Sequence, residues 1–229
     1  MASYRGHLML SIPLGAAYGF GAHYFLGVDW VSAALGGMLC GVSGLLPDLD
    51  SDSGMPVRIM FGLLGVICPL LMLPRLLAMQ LPLQKVLFLL VGCHLLVRYG
   101  GAFLMRRTSV HRGMYHSIPA MLIAGLAVFL MYHHSQVEVR AFLAAGAMVG
   151  FLSHLVLDEL CSVDFSGMKI KLNKFAGSAV KFASPSWTAT LATYAILAGL
   201  AWTAAMEFQG PRDQWRQFRQ TLSVSAPTK

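Results

Sequence analysis

Eight histidines and ten acidic residues interrupt a 229-residue chain that is otherwise strongly apolar. Many of them collect in three short islands. The islands are Leu46-Pro47-Asp48-Leu49-Asp50-Ser51-Asp52, His111-Arg112-Gly113-Met114-Tyr115-His116-Ser117, and His154-Leu155-Val156-Leu157-Asp158-Glu159. Imidazoles and carboxylates without thiolates suit Zn²⁺, Mn²⁺ or Fe²⁺ better than Ca²⁺. A bridged pair of such ions would lower the pKa of a bound water and clamp a phosphoryl group.

Each island also has a plainer use. His154 and Asp158 are four apart and share one helix face; taken alone, they equally suit a hydrogen bond that only fixes packing. They lie in the last turns of an apolar run, with His154 roughly 10 Å inside its end. Ionisable groups at that depth face a bundle interior or a wet cavity. Asp48 and Asp50 read alone as an exposed acidic loop or a helix N-cap. Together with Asp52 they repel one another, and a divalent cation would relieve this. The segment around His111, Arg112 and His116, with Arg106 and Arg107, reads alone as a headgroup-binding loop. Arg112 suits the clamping of a phosphate, and Ser117 suits a helix N-cap. His23, His94, His133 and His134 read as structural.

The elements that must position these groups are transmembrane helices. The chain is 56% hydrophobic and 12% charged, against about 25% charged residues in soluble domains. Apolar runs lie near 8–27, 30–46, 59–79, 83–104, 117–133, 139–161 and 186–206, and a spanning helix needs roughly 20 residues. The second and fifth are short enough to be tilted or only partly inserted. No strand-like alternation competes. The expected fold is all-α, a polytopic bundle of about six to seven helices. Residues 1–206 form one membrane domain, with 162–185 a basic interfacial connection and 207–229 a polar, mobile tail. The first run reads as a retained spanning helix, not a cleaved signal. Gly15-x-x-x-Gly19 and Gly37-x-x-x-Gly41 permit close helix contact, although such spacing is common in membrane helices. Pro47 ends the second run. The four cysteines read as small buried residues.

Alternating the seven runs carries His7 and all three islands to one face of the membrane. Arg5, Arg58, Arg106, Arg107, Arg112 and the lysines between 169 and 181 reach the same face. The positive-inside rule makes that face cytoplasmic, so the net charge of +7 reports topology and not nucleic-acid binding. Arg212, Arg216, Arg219 and Lys229 break the pattern. Either the tail sits against headgroups or the helix count is off by one.

The order His7, Pro47-Asp48-x-Asp50, His111-Arg112-Gly113-x-x-His116-Ser117, His154-x-x-x-Asp158 resembles the YdjM-type family of membrane-bound metal-dependent hydrolases. The resemblance covers roughly residues 1–185. Met114 and Tyr115 stand where a threonine often precedes the second histidine. The chain is also distantly similar to zinc-dependent phospholipase C proteins, which hold metals with His and Asp from several helices. By position, the resemblance implies His7, Asp48, His111, His116, His154 and Asp158 as metal ligands, and Asp50 as a bridging ligand or general base. The implied cofactor is one to three divalent ions, zinc ahead of manganese or iron.

The expected function is hydrolysis of a phosphodiester or ester in a membrane lipid or membrane-proximal substrate. The work is done at the cytoplasmic face of a bacterial inner membrane, with Asp50 and Arg112 as catalytic groups. The alternatives are a non-enzymatic metal-binding transporter or scaffold, and a structural protein whose islands bind headgroups without metal.

Overall fold

Long apolar runs with few breakers must satisfy their backbone groups internally in a bilayer, and helices do so. The computed structural model describes residues 4–50, 54–103, 114–166, 169–172 and 181–224. The helices are α1 (Tyr4–Leu26), α2 (Trp30–Ser43), α3 (Gly54–Ala78), α4 (Leu83–Leu95), α5 (Ile118–Met131), α6 (Val137–Leu160) and α7 (Trp187–Val224). A 3-10 turn, Pro47–Asp50, lies between α2 and α3, and α4 runs on as a π-helix over Leu96–Gly101. The fold is the expected all-α bundle, with seven α-helices among the described residues.

Four helical stretches are long and apolar enough to cross a membrane: Val57–Ala78, Leu83–Gly101, Val137–Leu160 and Trp187–Glu207. Helices α2 and α5 have 14 residues each. At 1.5 Å per residue they extend about 21 Å, short of a hydrocarbon core about 30 Å thick. Their starts and stops are chemically marked. The Asp29 carboxylate accepts from the Ser32 N–H (2.9 Å) at the head of α2. At α5, Ser117 accepts from the Ala120 N–H (3.3 Å), as its sequence position suggests, and Pro119 sits in the first turn, where its missing donor costs nothing.

Helices α1, α2 and α6 pack on small residues. A methyl group on Gly15 would stand 2.5 Å from the Gly37 carbonyl oxygen, and one on Gly37 would stand 2.6 Å from that of Gly15. A methyl on Gly150 would collide with the Cys40 carbonyl. The two glycine pairs in the sequence therefore do meet, and α6 joins them. A second, apolar cluster of Leu39, Ile67, Leu71, Val128, Leu143 and Ala147 binds α2, α3, α5 and α6. At the end of the bundle away from Asp48, His116 and His154, the Glu207 carboxylate accepts from both Arg75 and Arg140. Arg140 also donates to the Phe129 carbonyl (2.8 and 3.1 Å).

Three expectations need correction. Helix α2 stops at Ser43, with Gly44 as its C-cap, so Pro47 opens the 3-10 turn and does not itself end the helix. Strand periodicity is present after all. Val163–Ser166 (β1) pairs antiparallel with Lys169–Leu172 (β2) in a short hairpin, and the Lys-Ile-Lys-Leu alternation is its signature. Finally, 207–224 is helical, so α7 passes Glu207 by about 25 Å at 1.5 Å per residue.

Candidate metal centre

Three imidazoles and two carboxylates, contributed by four separate segments, converge at one end of the bundle. His7 comes from the first turns of α1, and Asp48 from the 3-10 turn that follows α2. His116 immediately precedes the Ser117 cap of α5. His154 and Asp158 come from the last two turns of α6. Four of the five are almost fully buried: His7 and His154 are 1% exposed, His116 3% and Asp158 4%.

The shortness of α2 and α5 makes the recess. Helix α2 ends level with His154, and its Gly44 carbonyl, one of the oxygens a helix C-terminus leaves unpaired, accepts from His154 Nδ1 at 2.8 Å. His154 lies six residues before α6 ends, about 9 Å along the axis. The loop carrying His116 is pinned from both sides. Ser117 Oγ donates to the Met114 carbonyl (2.5 Å), the Thr190 hydroxyl of α7 contacts the Met114 sulfur (3.7 Å), and the Ile118 N–H donates to the Lys181 carbonyl (3.1 Å).

Because His154 Nδ1 donates to Gly44, its Nε2 carries a bare lone pair. The groups facing that lone pair are themselves acceptors: Asp48 Oδ1 at 3.5 Å and Asp158 Oδ2 at 3.9 Å. Buried Nε2 of His154 and Nδ1 of His7 have no hydrogen-bond partner, which costs roughly 1–3 kcal/mol per buried polar group left unsatisfied. Lone pairs converging in a buried site would be satisfied by a cation between them. His7 Nε2 stands 3.3 Å from Asp158 Oδ1, and His116 Nε2 stands 3.8 Å from Asp48 Oδ1. Ligand atoms held tetrahedrally about 2.1 Å from one zinc ion lie about 3.4 Å from each other, so these separations match a ligand shell. Two such triads are formed, His7–His154–Asp158 and Asp48–His116–His154, each with its ligand atoms within 4.8 Å of one another. They share His154, whose ring stacks on that of His7 (centroids 3.6 Å apart, planes 9° apart).

The electrostatics agree with a cation site. Two carboxylates bring charge that one divalent ion would neutralise. Burial opposes ionisation of Asp48, but a hydrogen bond from His116 and the positive charge that His154, His7 and His116 carry when protonated outweigh it, and its carboxyl is held below the usual range. The donor set, the partnerless nitrogens and the spacing thus fit a divalent metal.

Two other expected site residues, His111 and Arg112, lie outside the described residues, as does Asp52. Asp50 ends the same 3-10 turn as Asp48, and its side chain lies outside the described part. The histidines read as structural are elsewhere. His23 Nδ1 meets the Val28 carbonyl (2.9 Å), His94 Nδ1 meets the Gly65 carbonyl (2.7 Å), and His134 Nδ1 accepts from the Gln136 N–H (3.1 Å). The sequence did not reveal the Gly44 carbonyl as the group that orients His154. Its one available signal was a glycine ahead of Pro47, marking an early helix end.

A family model for the YdjM inner membrane protein matches residues 6–210. The chain belongs to the YdjM inner membrane protein family. The match runs from the segment that carries His7 through the first residues beyond the last membrane span, so every side chain of the YdjM centre described above lies within it. No curated protein and no solved structure matches the chain.

Proposed function

We propose that this YdjM-family protein is a metal-dependent hydrolase. It cleaves a phosphodiester or ester of a lipid or membrane-proximal substrate, with its centre on the cytoplasmic side of a bacterial inner membrane. The supporting observation is His154 Nε2, a lone pair aimed at two carboxylates with no donor between them. Zinc, manganese or iron would serve, zinc first, with one to three ions. A divalent ion in this donor set would acidify a water and polarise a phosphoryl or acyl oxygen.

The chain's own residues would supply the rest. Gly44 fixes the His154 tautomer, as outer-shell carbonyls do for metal-ligating histidines. Asp50, two residues past Asp48, would take the water's proton. Arg112, close to His116 in sequence, would clamp the phosphate, and Lys181 would assist it. The Lys181 backbone is bonded to Ile118, two residues beyond His116, which supports that assignment. The cytoplasmic placement rests on Arg5 and Arg58, which share the end of the bundle that carries the centre.

The purified protein, with zinc restored, should hydrolyse a member of a phospholipid and phosphodiester panel, and Asp48→Ala should abolish the activity. Equal behaviour of wild type and Asp48→Ala across the panel would end the hydrolase reading. Zinc uptake into proteoliposomes, lost in His154→Ala, would replace it with transport.

A further inference from the structure

Beside the metal centre, α1 and α2 form an open groove of about 470 Å³, within the roughly 300–1,000 Å³ range of small-molecule sites. Its walls are apolar. The backbone of Gly15, Gly19 and Gly37 forms part of its lining, Ile12 and Met38 flank it, and Leu63 of α3 adds a further wall. One end is at Leu8 and Leu45, the neighbours in sequence of His7 and Gly44. The other is at Phe20 and Trp30, whose ring centroids are 5.6 Å apart. Twelve residues of α1 separate Leu8 from Phe20, about 18 Å along the helix. That is close to half of a hydrocarbon core about 30 Å thick, the depth of one leaflet.

We infer that this groove holds one acyl chain of a lipid whose headgroup lies at the metal centre, with the chain end at Trp30. Three observations select this occupant. The lining offers hydrocarbon and little else, the length is that of one leaflet, and the groove begins beside the buried polar cluster. A lipid so placed brings its phosphoester to the end of the bundle that carries His7, Asp48 and His154 without leaving the bilayer. The inference rests on the proposed hydrolase reading for its consequence, which is that the substrate is a diacyl phospholipid and not a soluble phosphodiester.

The test uses the zinc-loaded full chain in detergent, with Trp187, Trp202 and Trp215 changed to Phe so that Trp30 is the reporter. Phosphatidylglycerol brominated near the chain ends should quench Trp30 saturably, at about one lipid per chain. Phosphatidylglycerol brominated near the ester carbonyls should quench it far less. Ala16→Phe, an exposed position within the groove, should weaken the saturable phase about tenfold, the 1.4 kcal/mol equivalent of lost apolar contact. Linear quenching that Ala16→Phe leaves unchanged would mean annular lipid only. Stronger quenching by the carbonyl-proximal bromines would mean a chain inserted from the other leaflet. A groove covered by a second copy would show as a dimer that Ala16→Phe dissociates. Any of these results overturns the inference. Quenching requires no turnover, so its failure is separable from that of the hydrolase reading. Saturable binding without hydrolysis removes the hydrolase, and hydrolysis without saturable quenching removes the groove.

Discussion

Asp48 is the least buried of the five converging side chains, with 20% of its side chain exposed, and the one whose titration is open to direct study. Its carboxyl is held below the usual range against the opposing effect of burial. A depressed carboxylate pKa contributes stability above the unfolded value, about 3.9, and loses it as pH falls through the folded value. In the metal-free protein, wild type should therefore melt higher than Asp48→Asn near pH 5, where the carboxylate is ionised, and the margin should shrink at higher pH as the facing imidazoles lose their charge. The margin should close at lower pH. A difference that persists unchanged into the acid range would show that Asp48 acts through packing and not through charge. At this scale the sequence was informative because ionisable groups are rare here, so each one in an apolar run had to have a reason. It was silent on Gly44, whose contribution is a backbone carbonyl.

The elements explain why residues more than a hundred positions apart can share one ion. Helix α2 is short, and α6 reaches it closely enough that the Gly150 backbone touches Cys40. Adding two methyl-bearing branches there, in Gly150→Val, should push α6 from α2 and separate His154 from the Gly44 carbonyl. Overpacking of this kind typically costs about 1–3 kcal/mol, occasionally more, and the collision is with backbone. The thermal midpoint and the metal content should both fall. A variant that melts like wild type would show that the helices are not held by this contact. Helix existence and direction were legible from the apolar runs, and the start of α5 from the capping residue Ser117; the Asp29 cap of α2 emerged only in the structure. The end of α2 was not legible, because Pro47 is a stronger sequence signal than the glycine three residues earlier. The hairpin was missed because its Lys-Ile-Lys-Leu alternation is only four residues long.

At the scale of the molecule, the two ends of the bundle do different things. One carries the His/Asp cluster, and the other carries Glu207 with Arg75 and Arg140. The far-end group could not be read from sequence, since its members are separated by 67 and 132 positions and follow no period. Glu207→Ala would leave two guanidinium groups without their carboxylate. Arg75 and Glu207 are about one-third exposed, so the expected loss is about 1–3 kcal/mol, discounted for screening. Metal content should not change. A fall in bound metal would show that the ends are coupled.

The central claim is that His7, Asp48, His116, His154 and Asp158 hold a divalent cation. Elemental analysis of the detergent-purified protein after extensive washing tests it most directly. The account predicts about one or more equivalents of a transition metal per chain, a single ion being the fewest a closed ligand set can hold, and none above background in His154→Ala. No retained metal in the folded wild type after incubation with zinc, or equal metal in wild type and His154→Ala, would contradict it.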